Sequence, residues 1–172
     1  MVQSTIGGEL ARLADALARS HRRVAAAESV TGGGVSSHLV GRPDVSPHFI
    51  GGIVAYDTQV KIDVLGVDPD DIVRHGFVSE VVTVAMAKGV RSLLRADFAV
   101  ATTGLAGPSD GGTDQPVGTV CVAVVGFDGR HRVKTTVLIG DRRRISEGAE
   151  LLALSMLAAL VGGTVGDTGD DG

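Results

Sequence analysis

Apolar and polar positions along this chain alternate between helical and strand spacings, and the switches mark its elements. Over residues 5–20, Ile6, Leu10, Leu13 and Leu17 recur at helical spacing and predict an amphipathic helix. Val24 to Ala27 is a short continuous apolar run, the pattern of a buried strand. It gives way to Glu28-Ser29-Val30-Thr31 and the glycines Gly32, Gly33 and Gly34. Val35 to Val40 then resumes apolar character until Gly41-Arg42-Pro43-Asp44 breaks it, so the stretch reads as strand, glycine turn, helix. Phe49 to Tyr56 predicts a second strand and Gln59 to Leu65 a short helix, with Asp68-Pro69-Asp70-Asp71 turning into a further helical turn. Ser79 suits the N-cap of a long helix carrying Val82, Met86, Val90 and Leu93 on one face. Asp97 to Thr103 predicts a third strand. Val117 to Val125 and Arg132 to Ile139 flank Phe127-Asp128-Gly129-Arg130, the spacing of a hairpin turning at Asp-Gly. Asp141 caps a final helix with Ile145, Ala149, Leu152, Met156 and Ala159 inward, and a Gly, Thr and Asp tail, expected to be disordered, follows from Gly162. Strands alternating with helices, closed by a late hairpin, predict a single-domain α/β fold: a three-layer α/β/α sandwich on a mixed sheet.

Composition narrows the function classes. A chain of 172 residues is one domain at ~100–200 residues per domain, long enough to bury a core without staples. Net charge is −4, and the only aromatics are Phe49, Phe77, Phe98, Phe127 and Tyr56. A duplex-binding domain carries a basic excess and a single-strand binder carries stacking platforms, so nucleic acid is not the expected partner. No uninterrupted run approaches the ~20 apolar residues of a membrane span, and the start lacks a basic-then-apolar leader, so no membrane association is expected. Cys121 is the sole cysteine, which suits a reducing cytoplasm. The five histidines show no ligand spacing, so no metal is expected. The small-residue final helix, Leu151 to Leu160, suits either a subunit interface or the intramolecular core, and the core is favoured.

Glycine is the anomaly, at 25 residues, and it is clustered. The turn from Ser29 to Gly34 leads a strand into a helix. Free N–H groups there would hold an anion, although the pattern is neither a P-loop nor GxGxxG and serves equally as a tight turn. Gly104 to Gly118 is a long connection at the carboxyl end of the third strand, where open α/β sheets bind ligands; a surface loop is its other reading. In Gly140-Asp141-Arg142-Arg143-Arg144 the arginines oppose a helix macrodipole, which a bound phosphate near Arg142 would reverse. Tyr56 and Lys61 can share one rim. Ser46, in the loop entering the same strand, stands a strand length of ~25 Å away unless the chain folds back, so spacing alone makes it a turn residue.

Six segments, in order, resemble the CinA C-terminal domain family: Ala27-Glu28-Ser29-Val30-Thr31-Gly32-Gly33, Phe49 to Lys61, His75-Gly76-Phe77-Val78-Ser79-Glu80, Thr103-Gly104-Leu105-Ala106-Gly107-Pro108, Pro116-Val117-Gly118-Thr119-Val120 and Gly140-Asp141-Arg142. They run over roughly residues 5–161, so the resemblance implies one such domain over 1–161 with a tail over 162–172. Free-standing members of the family include nicotinamide-nucleotide amidohydrolases. The resemblance therefore implies hydrolysis of the carboxamide of nicotinamide mononucleotide to nicotinic acid mononucleotide and ammonia, without a cofactor. It implies Ser46 as nucleophile, Lys61 as its base and Tyr56 assisting. It gives the pyridine nucleotide to Thr31, Gly32, Gly33, Thr103, Gly104, Ala106, Gly107 and Arg142. The chain departs from the family at Asp44-Val45, where a small-residue turn is usual, at Pro47, and at Ser146, where an arginine is usual. These departures favour a second class, a non-catalytic nucleotide-binding or regulatory protein on the same fold.

Overall fold

The computed structural model describes residues 5–108 and 112–165. Its elements are α1 (Ile6–Ser20), β1 (Val24–Glu28), α2 (Gly34–Val40), a 3-10 turn (Ser46–His48), β2 (Phe49–Val54), α3 (Thr58–Asp63), α4 (Pro69–His75), α5 (Glu80–Leu93), β3 (Phe98–Gly104), β4 (Thr119–Val125), β5 (His131–Val137) and α6 (Arg142–Val165). The five strands form one sheet in the order β2-β1-β3-β4-β5. β1 runs parallel to β2 and to β3, whereas β3–β4 and β4–β5 are antiparallel, so the sheet is mixed as the hairpin required. From β1 the chain steps outward to β2 and then returns to β3 on the other flank, which makes the carboxyl end of β1 a topological switch point.

Helices cover both faces. On one, α1, α2 and α6 bury Leu13, Leu17, Val35, Leu39, Leu154 and Leu157 against Val24, Phe98, Val100, Val122 and Val124. On the other, Val82, Met86, Ala87 and Val90 of α5 pack on Ala25, Ala27, Ala99, Ala101, Ala123 and Val125. Along β3 and β4 this is a division of labour: Phe98, Val100, Val122 and Val124 face α1 and α6, whereas Ala99, Ala101 and Ala123 admit α5 close to the sheet, and β1 carries alanine on both faces.

The sequence expectations need four corrections here, the first being Leu93, which does not share the buried face of α5 but is 52% exposed near the helix end. Strand β2 stops at Val54, two residues short of Tyr56. The inward face of α6 is wider than the expected stripe, because α6 lies between α1 and the sheet: Ala153, Leu154, Leu157, Ala158, Leu160 and Val161 are buried, while Leu152 and Met156 are half-buried. Helix α6 also continues to Val165, past the expected end at 161, and the rest of the tail lies outside the described residues. Arg142–Gly163 is long and apolar enough on average to cross a membrane, despite the interruptions at Ser146, Glu147, Glu150 and Ser155, and half of its apolar window is buried within the protein.

Close approach of α5 to the segment behind α3 sets a sharp steric requirement. A Cβ at Gly89 would stand 2.0 Å from the backbone oxygen of Leu65. Glycine to alanine in a helix interior normally stabilises by about 1 kcal/mol. At Gly89 the sign should reverse: Gly89→Ala is expected to lower stability by roughly 1–3 kcal/mol, as overpacking does, read as a drop in the urea midpoint at unchanged slope.

Candidate active site

The site grows from the carboxyl end of β1. Glu28, its last residue, is 1 % exposed. Its Oε2 accepts from Thr31 Oγ1 at 2.7 Å and from the Gly33 and Val35 amides at 3.1 and 3.0 Å; its Oε1 accepts from the Ser36 amide and hydroxyl at 2.8 and 2.6 Å. One carboxylate therefore caps the start of α2 and closes the turn beneath it. Gly33 reaches that geometry at φ +105°, where a side chain would be strained. The anion that the glycine turn was expected to hold is supplied by the chain itself. Gly33 accordingly does not contact the pocket; Thr31 is turned down onto Glu28 and onto Thr102 Oγ1, 2.8 Å away.

Ser29 follows directly and is nearly buried. Its amide donates to Thr102 O, fixing the backbone to β3. Among the described residues the next two amides, Val30 and Thr31, have no acceptor. Across the switch point, Ala55 donates its amide to Glu28 O, so the exit of β2 is pinned beside Ser29. Asp57 then caps α3, accepting from the Gln59 amide at 2.7 Å, and the helix turns Lys61 back under the strand end. Lys61 is 1 % exposed. Its Nζ donates to Ala55 O at 2.7 Å and Tyr56 O at 3.0 Å, and lies 3.4 Å from Ser29 Oγ. Burial pushes the Lys61 ammonium below its ordinary value of 10.5, and the charge of Asp57 partly opposes that shift.

A cleft of about 350 Å³ opens above this pair. Its walls come from the carboxyl ends of all three parallel strands: Ser29 and Val30 after β1, Tyr56 to Thr58 after β2, and Gly104 to Gly107 at the end of β3, with Phe77 and Arg142 at the sides. The Arg142 guanidinium donates to Gly107 O. A second cleft, about 560 Å³, shares Ser29, Val30, Tyr56 and Arg142, and extends over Thr31, Gly32, Ser146 and Glu150.

The structure thus brings Tyr56, Lys61, Gly104, Ala106, Gly107 and Arg142 together, with Thr31 and Gly32 in the adjoining lobe. It does not bring Ser46. That residue begins the 3-10 turn before β2, at the amino end of the strand whose carboxyl end leads to Lys61; the five steps from Phe49 to Val54 alone span ~17 Å. Ser46 therefore cannot be the partner of Lys61, and the departures at Asp44-Val45 and Pro47 lie away from the pocket. Thr103 also falls outside: it is buried, with its hydroxyl 2.8 Å from Thr83 of α5. Sequence reasoning missed Ser29 as a partner for Lys61, and missed Asp57, Thr58 and Phe77 as walls. The signal for Ser29 was present, because it is the first residue beyond a parallel strand, at the end where such sheets bind ligands.

Comparison with known proteins agrees with this architecture. The CinA C-terminal domain family model matches residues 9–161. A CinA-like protein of Mycobacterium marinum is 46% identical over 136 residues, 79% of this chain and 32% of that protein. A CinA-like protein of Mycobacterium tuberculosis is 44% identical over 145 residues, 84% of this chain and 34% of that protein. The chain thus spans about a third of the length of the curated relatives it matches. Among solved structures, a CinA superfamily protein from Enterobacter cloacae superposes with TM-score 0.89 at 29% identity, covering 94% of this chain and 95% of that one. A competence or damage-inducible protein from Enterobacter asburiae gives TM-score 0.87 at 32% identity, covering 91% and 98%.

Two expected outcomes test the construction. Glu28→Gln keeps the shape but sets an amide nitrogen against a ring of donors, and should destabilise the fold by about 2–4 kcal/mol in chemical denaturation; a change within 0.5 kcal/mol would sink the capping role. For Lys61, the unfolded chain binds a proton that the folded site resists, so wild-type stability should rise with pH through the window below 10.5. Relative to Lys61→Met, which has no such group, the wild type should gain stability as pH climbs through that window; a pH-independent difference between the two unfolding free energies would contradict a depressed amine.

Proposed function

We propose, since the chain belongs to the CinA C-terminal domain family, that it is a serine amidohydrolase acting on the carboxamide of a pyridine mononucleotide, with Ser29 as nucleophile. The observation that carries this reading is the placement of Lys61 Nζ 3.4 Å from Ser29 Oγ at the floor of the cleft. A neutral amine has two N–H donors and one lone pair. The Ala55 and Tyr56 carbonyls take the two hydrogens, and the lone pair is left for the Ser29 hydroxyl proton. Desolvation shifts the amine toward that neutral form, which a base requires.

In the reaction so read, Lys61 takes the Ser29 proton as Oγ attacks the carboxamide carbon. The oxyanion is met by the Val30 and Thr31 amides that have no acceptor within the described chain. The Lys61 ammonium returns its proton to the amide nitrogen, the C–N bond breaks and ammonia leaves. Water then attacks the Ser29 ester as Lys61 takes its proton, Lys61 passes that proton to Ser29 Oγ as the ester C–O bond breaks, and the acid product leaves and ionises to the carboxylate with Ser29 restored. Tyr56, which borders both lobes, offers a face for the ring, and Arg142, steadied by Gly107 O, is the cation for a phosphate.

Ser29→Ala should lower ammonia release from nicotinamide mononucleotide by about a thousandfold or more. Ser46→Ala, remote from the cleft, should remain within about twofold of wild type. Full activity in the Ser29 variant, or loss confined to the Ser46 variant, would overturn the assignment. Tight mononucleotide binding by the wild type with no ammonia release would instead favour a non-catalytic binding protein.

A further inference from the structure

The second lobe of the cleft carries a charge that the proposed chemistry does not use. Glu150, on α6, is 8 % exposed, and Glu150, Ser146, Thr31 and Gly32 line that lobe beside Ser29. Its carboxylate is held from two sides: Ser146 Oγ lies 3.1 Å from Oε1, and His38 Nε2 lies 3.0 Å from Oε2. Ser146 Oγ is also 3.3 Å from the carbonyl of Val30, the residue next to Ser29, so the carboxylate sits two hydrogen-bond lengths from the nucleophile's neighbour. The approach is possible because position 34 is glycine; a Cβ there would stand 2.3 Å from Glu150 Oε1. The other charges facing this lobe are Arg142, which donates to Gly107 O, and Arg143, which is paired with Glu147 at 2.7 Å. Among the described residues, the hydrogen-bond partners of the Glu150 carboxylate are Ser146 and His38, with no arginine or lysine paired to it.

A phosphate set against a buried carboxylate is repelled, whereas a fixed cation is attracted, and at an effective dielectric constant near 20 the effect at such a range is on the order of tenfold or more. We infer that Glu150 is a specificity residue selecting carboxamides borne on a permanently cationic ring over their neutral-ring counterparts, with the phosphate left to Arg142. The inference rests on the reading of Ser29 and Lys61 as an amidohydrolase pair and names the feature of the substrate that this second lobe reads.

Binding to the Ser29→Ala protein at pH 8 separates recognition from turnover. Two probes share carboxamide, ribose and phosphate and differ in ring charge: nicotinamide mononucleotide and its 1,4-dihydro form. Calorimetry should show the cationic probe binding about tenfold more tightly. Adding Glu150→Gln, or independently Ser146→Lys to set a cation beside the carboxylate, should bring the two affinities within about twofold of one another. Two dissimilar variants guard against one that misfolds, and melting curves identify it. A cation preference that survives both changes overturns the inference, as does an equal loss for both probes, which would mark Glu150 as architectural or as a hydroxyl acceptor. If wild type releases ammonia but its Ser29→Ala form binds both probes alike, the amidohydrolase reading stands and only the role of Glu150 falls. If neither probe binds and no ammonia is released, the mononucleotide reading falls and takes this inference with it.

Discussion

A single buried carboxylate organises the end of the sheet where the site forms. Glu28 ends β1 and takes five donors from the eight residues that follow it. Burying an isolated carboxylate costs several kcal/mol, and that cost is offset only where its oxygens are met by well-aligned donors. The turn is therefore held to one shape, in which Thr31 folds down, Gly33 takes a left-handed backbone and α2 begins at Gly34. Ser29 stands between this clamp and its own amide bond to β3. Its hydroxyl is placed by constraints on both sides, which is what a nucleophile needs if orientation is to lower the barrier.

Lys61 is the complementary constraint. A lysine on a six-residue helix would ordinarily extend into water. Here the exit of β2 is tied to β1 through Ala55, and α3 turns back beneath it, so the aliphatic stem is enclosed and the amine meets two carbonyls and one hydroxyl. Among the described residues no carboxylate is hydrogen-bonded to the amine, and desolvation outweighs the charge of Asp57 in lowering its pKa. The close packing of Gly89 on Leu65 holds the segment that follows α3 against α5, so a helix far from the chemistry helps to fix the lysine's backbone.

The fold was legible because periodicity reports burial, and burial is what an α/β/α sandwich imposes on every element. Helical stripes and short apolar runs gave the order of elements, the Asp-Gly hairpin and the mixed sheet, and even the Ser79 and Asp141 caps, which accept from the Val82 and Arg144 amides. The site was legible only where chain order and spatial order coincide. Tyr56 and Lys61 are five residues apart and share one rim, whereas Ser29 and Lys61 are 32 apart and meet only because β1 and β2 are parallel neighbours in register, Glu28 beside Val54. Ser46 lies nearer in sequence, but at the amino end of β2, away from this cleft. The glycine turn misled differently: its amides do hold an anion, but that anion is the residue preceding Ser29, which no spacing rule for phosphate loops would reveal.

This division extends to the two lobes around Ser29. The first is built almost entirely from residues that follow strands, so its shape is inherited from the sheet. The second takes Arg143, Ser146, Glu147 and Glu150 from the first turns of α6, where side chains can change without disturbing the core on the helix's other face, at Ile145, Ala149 and Ala153. On the proposed reading, strand ends set the chemistry and one helix face sets recognition. A sheet that fixes Ser29 against Lys61 would, on that reading, meet differently charged ligands through substitutions three and four residues apart on α6, because the helical repeat carries those positions to the same rim.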